Sequence, residues 1–107
     1  MDKLRFEWDP RKNETNIFKH KISFEEAKTV FLDENAAIAN DPDHSDYEER
    51  YIIIGFSYSA RPLLVCFCEK DDGNTIRIIS ARKLTRKEIK QFNQRWRRWE
   101  KNMIWKN

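Results

Sequence analysis

The chain has 107 residues, 36% charged and 39% hydrophobic, with a formal net charge of +3. This length allows one modest core, and the composition excludes a disordered tail; no apolar stretch approaches the roughly 20 residues needed to span a bilayer. The small net charge hides an uneven distribution. After Gly73 the cations Arg77, Arg82, Lys83, Arg86, Lys87, Lys90, Arg95, Arg97, Arg98, Lys101 and Lys106 face only Glu88 and Glu100, while acids crowd between Asp33 and Glu49. The opening "MDKLRFEWDP" lacks a signal peptide's apolar core, so a cytoplasmic protein is expected.

In chain order, Phe6 and Trp8 alternate as in a short edge strand. Asp9 then reads as an N-cap and Pro10 as the first residue of a helix, where its missing N–H costs nothing. Lys12, Asn16, Lys19 and His20 fall along one polar side of that helix. Ser23 and Glu26 form a capping box that opens a second helix, with Ile22 and Ala27 as its hydrophobic staple and Ala27, Val30 and Phe31 as its buried stripe. "AAIA" within the acidic connection is a further strand. "RYIIIGFSY", "PLLVCFCEK" and "TIRIISARKL" follow, joined by links short enough for hairpins, and predict a three-stranded antiparallel meander. Strict alternation puts Arg77 on one face of the last strand with Ile79 and Ala81, and Arg82 on the other with Ile76, Ile78 and Ser80. Each guanidinium then needs an anion or the sheet margin. Cys66 and Cys68 share one face of their strand and read as reduced core thiols. A second capping box, Thr85 and Glu88 with Leu84 and Ile89, opens the last helix, whose apolar stripe is Ile89, Phe92, Trp96, Trp99 and Met103. The expected class is α+β: residues 1–107 as a single domain, a small antiparallel sheet made of the meander plus short N-terminal strands, covered by two N-terminal helices and one C-terminal helix.

Chemistry narrows by exclusion. "DPDHSD" concentrates Asp41, Asp43, His44 and Asp46, but it lacks the glycine turn and terminal glutamate of a calcium loop, so no metal is expected. No strand–turn–helix elbow presents a serine, and two glycines cannot make a phosphate loop. Many cations with a few acids and histidines on a small sheet suit phosphodiester cleavage in RNA. There the substrate supplies its own 2′-OH nucleophile, and the protein supplies proton transfer and fixed positive charge. Arginine fits the second role, because its fork donates two bonds to a phosphate and keeps its charge. No cofactor is needed.

"FEWDPRKNETNIFKHKISFEEAKTVF", "DPDHSDYEERYIIIGFSYSARPLLVCF" and "IRIISARKLTRKE" together resemble the BrnT family of bacterial type II toxins, from about Phe6 to Phe92. The pieces carrying the likeness are F-x-W-D-x-x-K with N-x-x-K-H, then F-x-E-A, then E-R with I-G, then I-S-A-R. The resemblance implies a RelE-like fold and an endoribonuclease that arrests translation. It further implies neutralisation by a BrnA-like antitoxin in a heterotetramer, with operator DNA bound only through the antitoxin. The chain departs from the family pattern at Lys21 and Ala60, where glycine is usual, and at Phe92, where tyrosine is common.

Arg61, Arg77, Arg82, His20 and Glu49 are the candidate catalytic residues, and Arg50, Lys19, Lys90 and Arg97 the candidate RNA contacts. Arg82 ends a strand, and either holds a phosphate or pairs with the acidic segment. Arg77 is a cleft cation or a partner for Glu49. Arg61 at a hairpin tip contacts RNA or only solvent, and His20 either caps a helix or transfers protons. Catalysis requires these groups to converge, whereas a non-catalytic nucleic-acid- or partner-binding domain needs only the basic last helix. A decayed toxin is the third possibility.

Overall fold

The structure is a computed structural model that describes residues 4–41 and 49–94. Trp96, Arg97, Trp99, Met103, Trp105 and most of "DPDHSD" lie outside the described residues. Strand β1 (Arg5–Glu7) leads into helix α1 (Pro10–His20); the Asp9 side chain caps α1 by accepting from the Arg11 N–H at 2.8 Å. Helix α2 (Phe24–Lys28) runs on into a 3₁₀ turn (Thr29–Leu32). Strands β2 (Ala37–Asn40), β3 (Tyr51–Phe56), β4 (Pro62–Lys70) and β5 (Thr75–Lys83) follow, and helix α3 occupies 86–94.

The meander forms as expected, but the sheet is mixed rather than antiparallel. Its order is β1-β5-β4-β3-β2, and β1 lies parallel to β5 with Phe6 opposite Ile76 and Glu7 opposite Arg77. Helices α1 and α2 cover one face. The core between them and the sheet joins Ile22, Phe24, Ala27 and Val30 to Leu63, Val65, Phe67, Ile76, Ile78 and Ala81. Phe24 and Phe67 are wholly buried, each worth about 1.5–3 kcal/mol of transfer from water.

The expected alternation along β5 fails at one residue. Phe67 opposes Ile78 and Cys66 opposes Ser80, so Ile79 is left over as a bulge. The extra residue reverses the parity beyond it. Ala81 turns to the core with Ile76 and Ile78, and Arg77, Ser80 and Arg82 all share the opposite face with Leu64, Cys66 and Cys68. Arg77 and Arg82 therefore lie on one face, not on two.

Asn16, expected on a polar flank, is buried. Strand β1 pairs with β5 only as far as Arg77, which leaves the edge of β5 open at Ala81. The Asn16 amide closes it: its Oδ1 accepts from the Ala81 N–H at 3.1 Å, and its Nδ2 donates to the carbonyls of Ala81 and Ile22 at 2.8 and 2.9 Å. Asn13 Oδ1 likewise accepts from the Phe24 N–H at 2.9 Å, so two asparagines of α1 fasten it to both of its neighbours. Gly55 lets the chain approach β3 closely, since a Cβ there would sit 2.9 Å from both Ala36 Cβ and Asp33 Oδ2.

Lys21 and Ala60, the two departures from glycine, adopt left-handed φ of 62° and 59°. Lys21 is the C-cap of α1 and Ala60 lies in the β3–β4 turn. Because a Cβ is disfavoured there, Ala60→Gly is expected to raise stability by about 0.5–1 kcal/mol after glycine's greater unfolded-state entropy is deducted. Asn16→Ala strands the Ala81 N–H and two carbonyls, and should lower stability by about 2–4 kcal/mol. Urea unfolding of each variant measures both.

Candidate functional site

Helix α1 leaves β1 near Arg77 and meets β5 at Ala81 through Asn16, and the bond from Arg61 to the Lys21 carbonyl places His20, one residue earlier, at the end of the sheet where β5 finishes and β4 begins. The β3–β4 turn is at that end too. Its Arg61 reaches over to the helical layer, donating from Nε to Glu26 Oε2 at 2.8 Å, from Nη2 to Glu26 Oε1, and from Nη2 to the Lys21 carbonyl at 3.1 Å. Arg82 and Lys83 finish β5 there, and α3 begins with Arg86 and Lys87. Lys19, His20, Lys21, Arg61, Arg82 and Lys83 thus gather at one end.

Glu26 shows how the gathering is built. The capping box expected for α2 is half made: Ser23 Oγ accepts from the Glu26 N–H at 3.1 Å, but the Glu26 carboxylate turns away to Arg61 and accepts from Ser57 Oγ at 2.6 Å. The Arg61 guanidinium, followed by the Ser57 hydroxyl, holds this carboxyl below its usual range against the opposing effect of burial. Arg61 is therefore an ion-paired strut between turn and helices, not a solvated hairpin tip.

Arg82 pairs with Glu88 rather than with the acidic segment. Nη1 and Nη2 donate to the two carboxylate oxygens at 2.8 and 3.0 Å. The second capping box is complete around the same carboxylate, with Thr85 N–H donating to it at 2.8 Å and Glu88 N–H donating to Thr85 Oγ1 at 3.2 Å. Phe92 packs edge-on to Phe56 at 6.2 Å, which brings α3 to the face opposite α1 and α2. Burial raises the pKa of the Cys66 thiol, which faces Ser80, Asp41 and Arg82.

The remaining expected residues lie elsewhere. Glu49 accepts from the Tyr51 hydroxyl at 2.8 Å at the far end of β3, about 17 Å away along the strand from the Arg61 turn. It borders a shallow, mainly acidic hollow with Glu69, Lys70, Asp71 and Asp72. Arg50 is its neighbour, and its carbonyl accepts from the Asp41 N–H at 2.9 Å. Arg77 pairs with Glu7 at 2.7 Å, not with Glu49, and its β4 partner Cys68 is about 13 Å along that strand from Leu64, the partner of Arg82. The five candidate catalytic residues therefore do not converge: His20, Arg61 and Arg82 share the basic end, while Arg77 and Glu49 stand toward the acidic one. Lys19 is exposed at the basic end and Lys90 is exposed on α3. Sequence reading missed Glu26, whose capping role was a sufficient local explanation, and Asn16, whose helical neighbours are polar. Among the described residues no cluster of three or more His, Cys, Asp or Glu is placed to hold a metal ion.

Of the motif positions on which the resemblance rested, Asn16, Lys19, His20, Glu26 and Arg82 lie toward this end of the sheet, while Glu49 and Arg50 lie at the other. A family model for the ribonuclease toxin BrnT of type II toxin-antitoxin systems matches residues 8–88. The chain belongs to the BrnT family. Its fold is similar to that in the 1.1 Å crystal structure of the Brucella abortus ribonuclease toxin BrnT, with a TM-score of 0.57 at 22% identity over 78% of this chain and 99% of that one. A search of curated proteins gave no significant match. Membership in BrnT makes the chain a ribonuclease toxin of a type II system, a class that acts on RNA and is paired with an antitoxin. Among the described residues of this BrnT chain no helix is long and apolar enough to cross a membrane.

The Arg82 guanidinium and the Thr85 N–H pull the Glu88 carboxyl down to about 2. A folded-state pKa below the unfolded one stabilises fully above the unfolded value, near 4.5, and the contribution is lost as pH falls toward 2. Partial exposure of the pair reduces the effect to on the order of 1–2 kcal/mol. Unfolding free energy should therefore decline between pH 5 and 2, and less steeply in Glu88→Gln, as urea titrations at stepped pH would show.

Proposed function

We propose that residues 1–107 form one RelE-like toxin domain that cleaves RNA without a metal, arrests translation in the cytoplasm, and is neutralised by a BrnA-like antitoxin. The antitoxin holds the toxin in a heterotetramer and supplies the contact to operator DNA. One observation supports the reading most: His20 and Arg82 sit at the same basic end of the sheet, with Arg61 bracing the chain that carries His20. In this scheme the RNA 2′-OH attacks the adjacent phosphorus, the 2′-O–P bond forms, and the P–O5′ bond breaks. His20 takes the 2′ proton, imidazole being the side chain suited to transfer near neutral pH. Arg82 holds the non-bridging oxygens as negative charge builds, and a proton delivered from water to the leaving 5′ oxygen completes a 2′,3′-cyclic phosphate. Lys19 and Lys90 follow the strand's phosphates, with Arg97 assigned the same role on sequence grounds. Arg77 and Arg50 serve RNA arriving farther along the chain.

The rival reading, a non-catalytic binding domain, draws on the same pairs, since Glu88 and Glu26 already occupy Arg82 and Arg61. Purified protein should cleave RNA in excess EDTA and leave a 2′,3′-cyclic end, and its expression alone should arrest growth until the antitoxin is co-expressed. His20→Gln should lower the single-turnover rate by about 10²–10⁴-fold. Arg82→Lys should lower it by on the order of a hundredfold or more, with little change in melting midpoint. A metal requirement, or lysine and glutamine variants that are active but less stable, would sink the catalytic assignment.

A further inference from the structure

Two aromatic rings at the basic end have no role in the fold. Phe18 is 79% exposed and Tyr58 is 77% exposed, the highest values of any described aromatic residue. Phe18 leaves α1 two residues before His20, and the Lys21 ammonium lies 5.7 Å from its ring centroid. The Lys21 carbonyl accepts from Arg61, and Tyr58 lies in the same β3–β4 turn as that arginine.

Both rings stand on fixed backbone. The Tyr58 N–H donates to Thr29 Oγ1 at 2.9 Å, and the turn that carries it is closed by Ser57 N–H to the Arg61 carbonyl at 2.9 Å and Ala60 N–H to the Ser57 carbonyl at 2.8 Å. Phe18 sits in the last turn of a helix that Asn16 locks to β5. Rings held out in water next to fixed cations suit a strand that offers flat faces and phosphates in alternation.

We infer that Phe18 and Tyr58 are a stacking subsite for unpaired bases of single-stranded RNA, with the Lys21 ammonium beside Phe18 facing the phosphates. The inference rests on the ribonuclease reading and names the form of its substrate: a single strand, because a duplex hides its base faces. A protein partner fits less well, because covering these rings with apolar surface would strip water from the Lys21 charge beside Phe18. Stacking is tolerant of sequence, so the pair holds the strand without choosing the base.

The test uses the full chain with a 2′-O-methyl oligonucleotide, which lacks the nucleophile and is bound without being cut. Phe18→Leu and Tyr58→Leu should each weaken binding roughly fivefold to a hundredfold and leave the slope of log Kd against log salt unchanged, whereas Lys21→Gln should reduce that slope. A strand made abasic throughout should bind wild type and both leucine variants alike. Wild-type affinity in both leucine variants, an equal loss on the abasic strand, or a loss confined to antitoxin binding would each overturn the subsite. Wild-type protein that cleaves RNA while the variants bind normally removes only this inference; wild type that neither binds nor cleaves RNA removes the ribonuclease reading as well.

Discussion

One surplus residue in β5 decides which way the side chains at the end of that strand point. A strand's two faces are fixed by a period of two, so inserting Ile79 without a partner inverts every residue after it. Without that inversion Ala81 would leave the core and Arg82 would enter it, pressing a guanidinium against Ile22 and Phe24. With it, Arg82 emerges beside α3, and Ala81 presents its backbone toward Asn16. The site's cation and the anchor for α1 both follow from the same local irregularity.

That anchor has consequences at a distance. A short β1 leaves the edge of β5 unpaired beyond Arg77, and a buried backbone edge must be satisfied. The Asn16 amide does so by presenting donor and acceptor together, as a further strand would. Helix α1 is thereby fixed in position along β5, and His20 is carried to the end of the sheet one turn later. Glu26 and Arg61 then tie the α1–α2 connection to the β3–β4 turn. Two polar side chains inside the helical layer, each fully bonded, position a histidine that neither of them touches.

Charge is also distributed by the fold. Cations collect where β5 ends, whereas acids and their paired cations mix where β3 and β5 begin, so a protein of small net charge has one predominantly basic end. The arginines within this field are paired, Arg61 with Glu26, Arg77 with Glu7 and Arg82 with Glu88. Such pairing holds each fork in one orientation against its carboxylate, while the heads of Arg77 and Arg82 stay part-exposed.

The sequence by itself determined what neighbouring residues settle among themselves. Asp9 and Pro10 start α1, Thr85 and Glu88 start α3, two short links make the meander, and alternation marks β3 and β4, because caps, tight turns and side-chain periodicity depend on atoms a few residues apart. The family motifs were equally legible, and with them the class of activity. Only the tertiary structure decided the rest. It made β1 parallel to β5, inverted β5 at Ile79, buried Asn16, turned Glu26 from its own N-cap to Arg61, and placed Glu49 at the opposite end of the sheet from His20 and Arg82. Each of these is a choice between a local partner and a distant one of similar strength, and the distant partner wins only when packing has brought it close and removed water from between them.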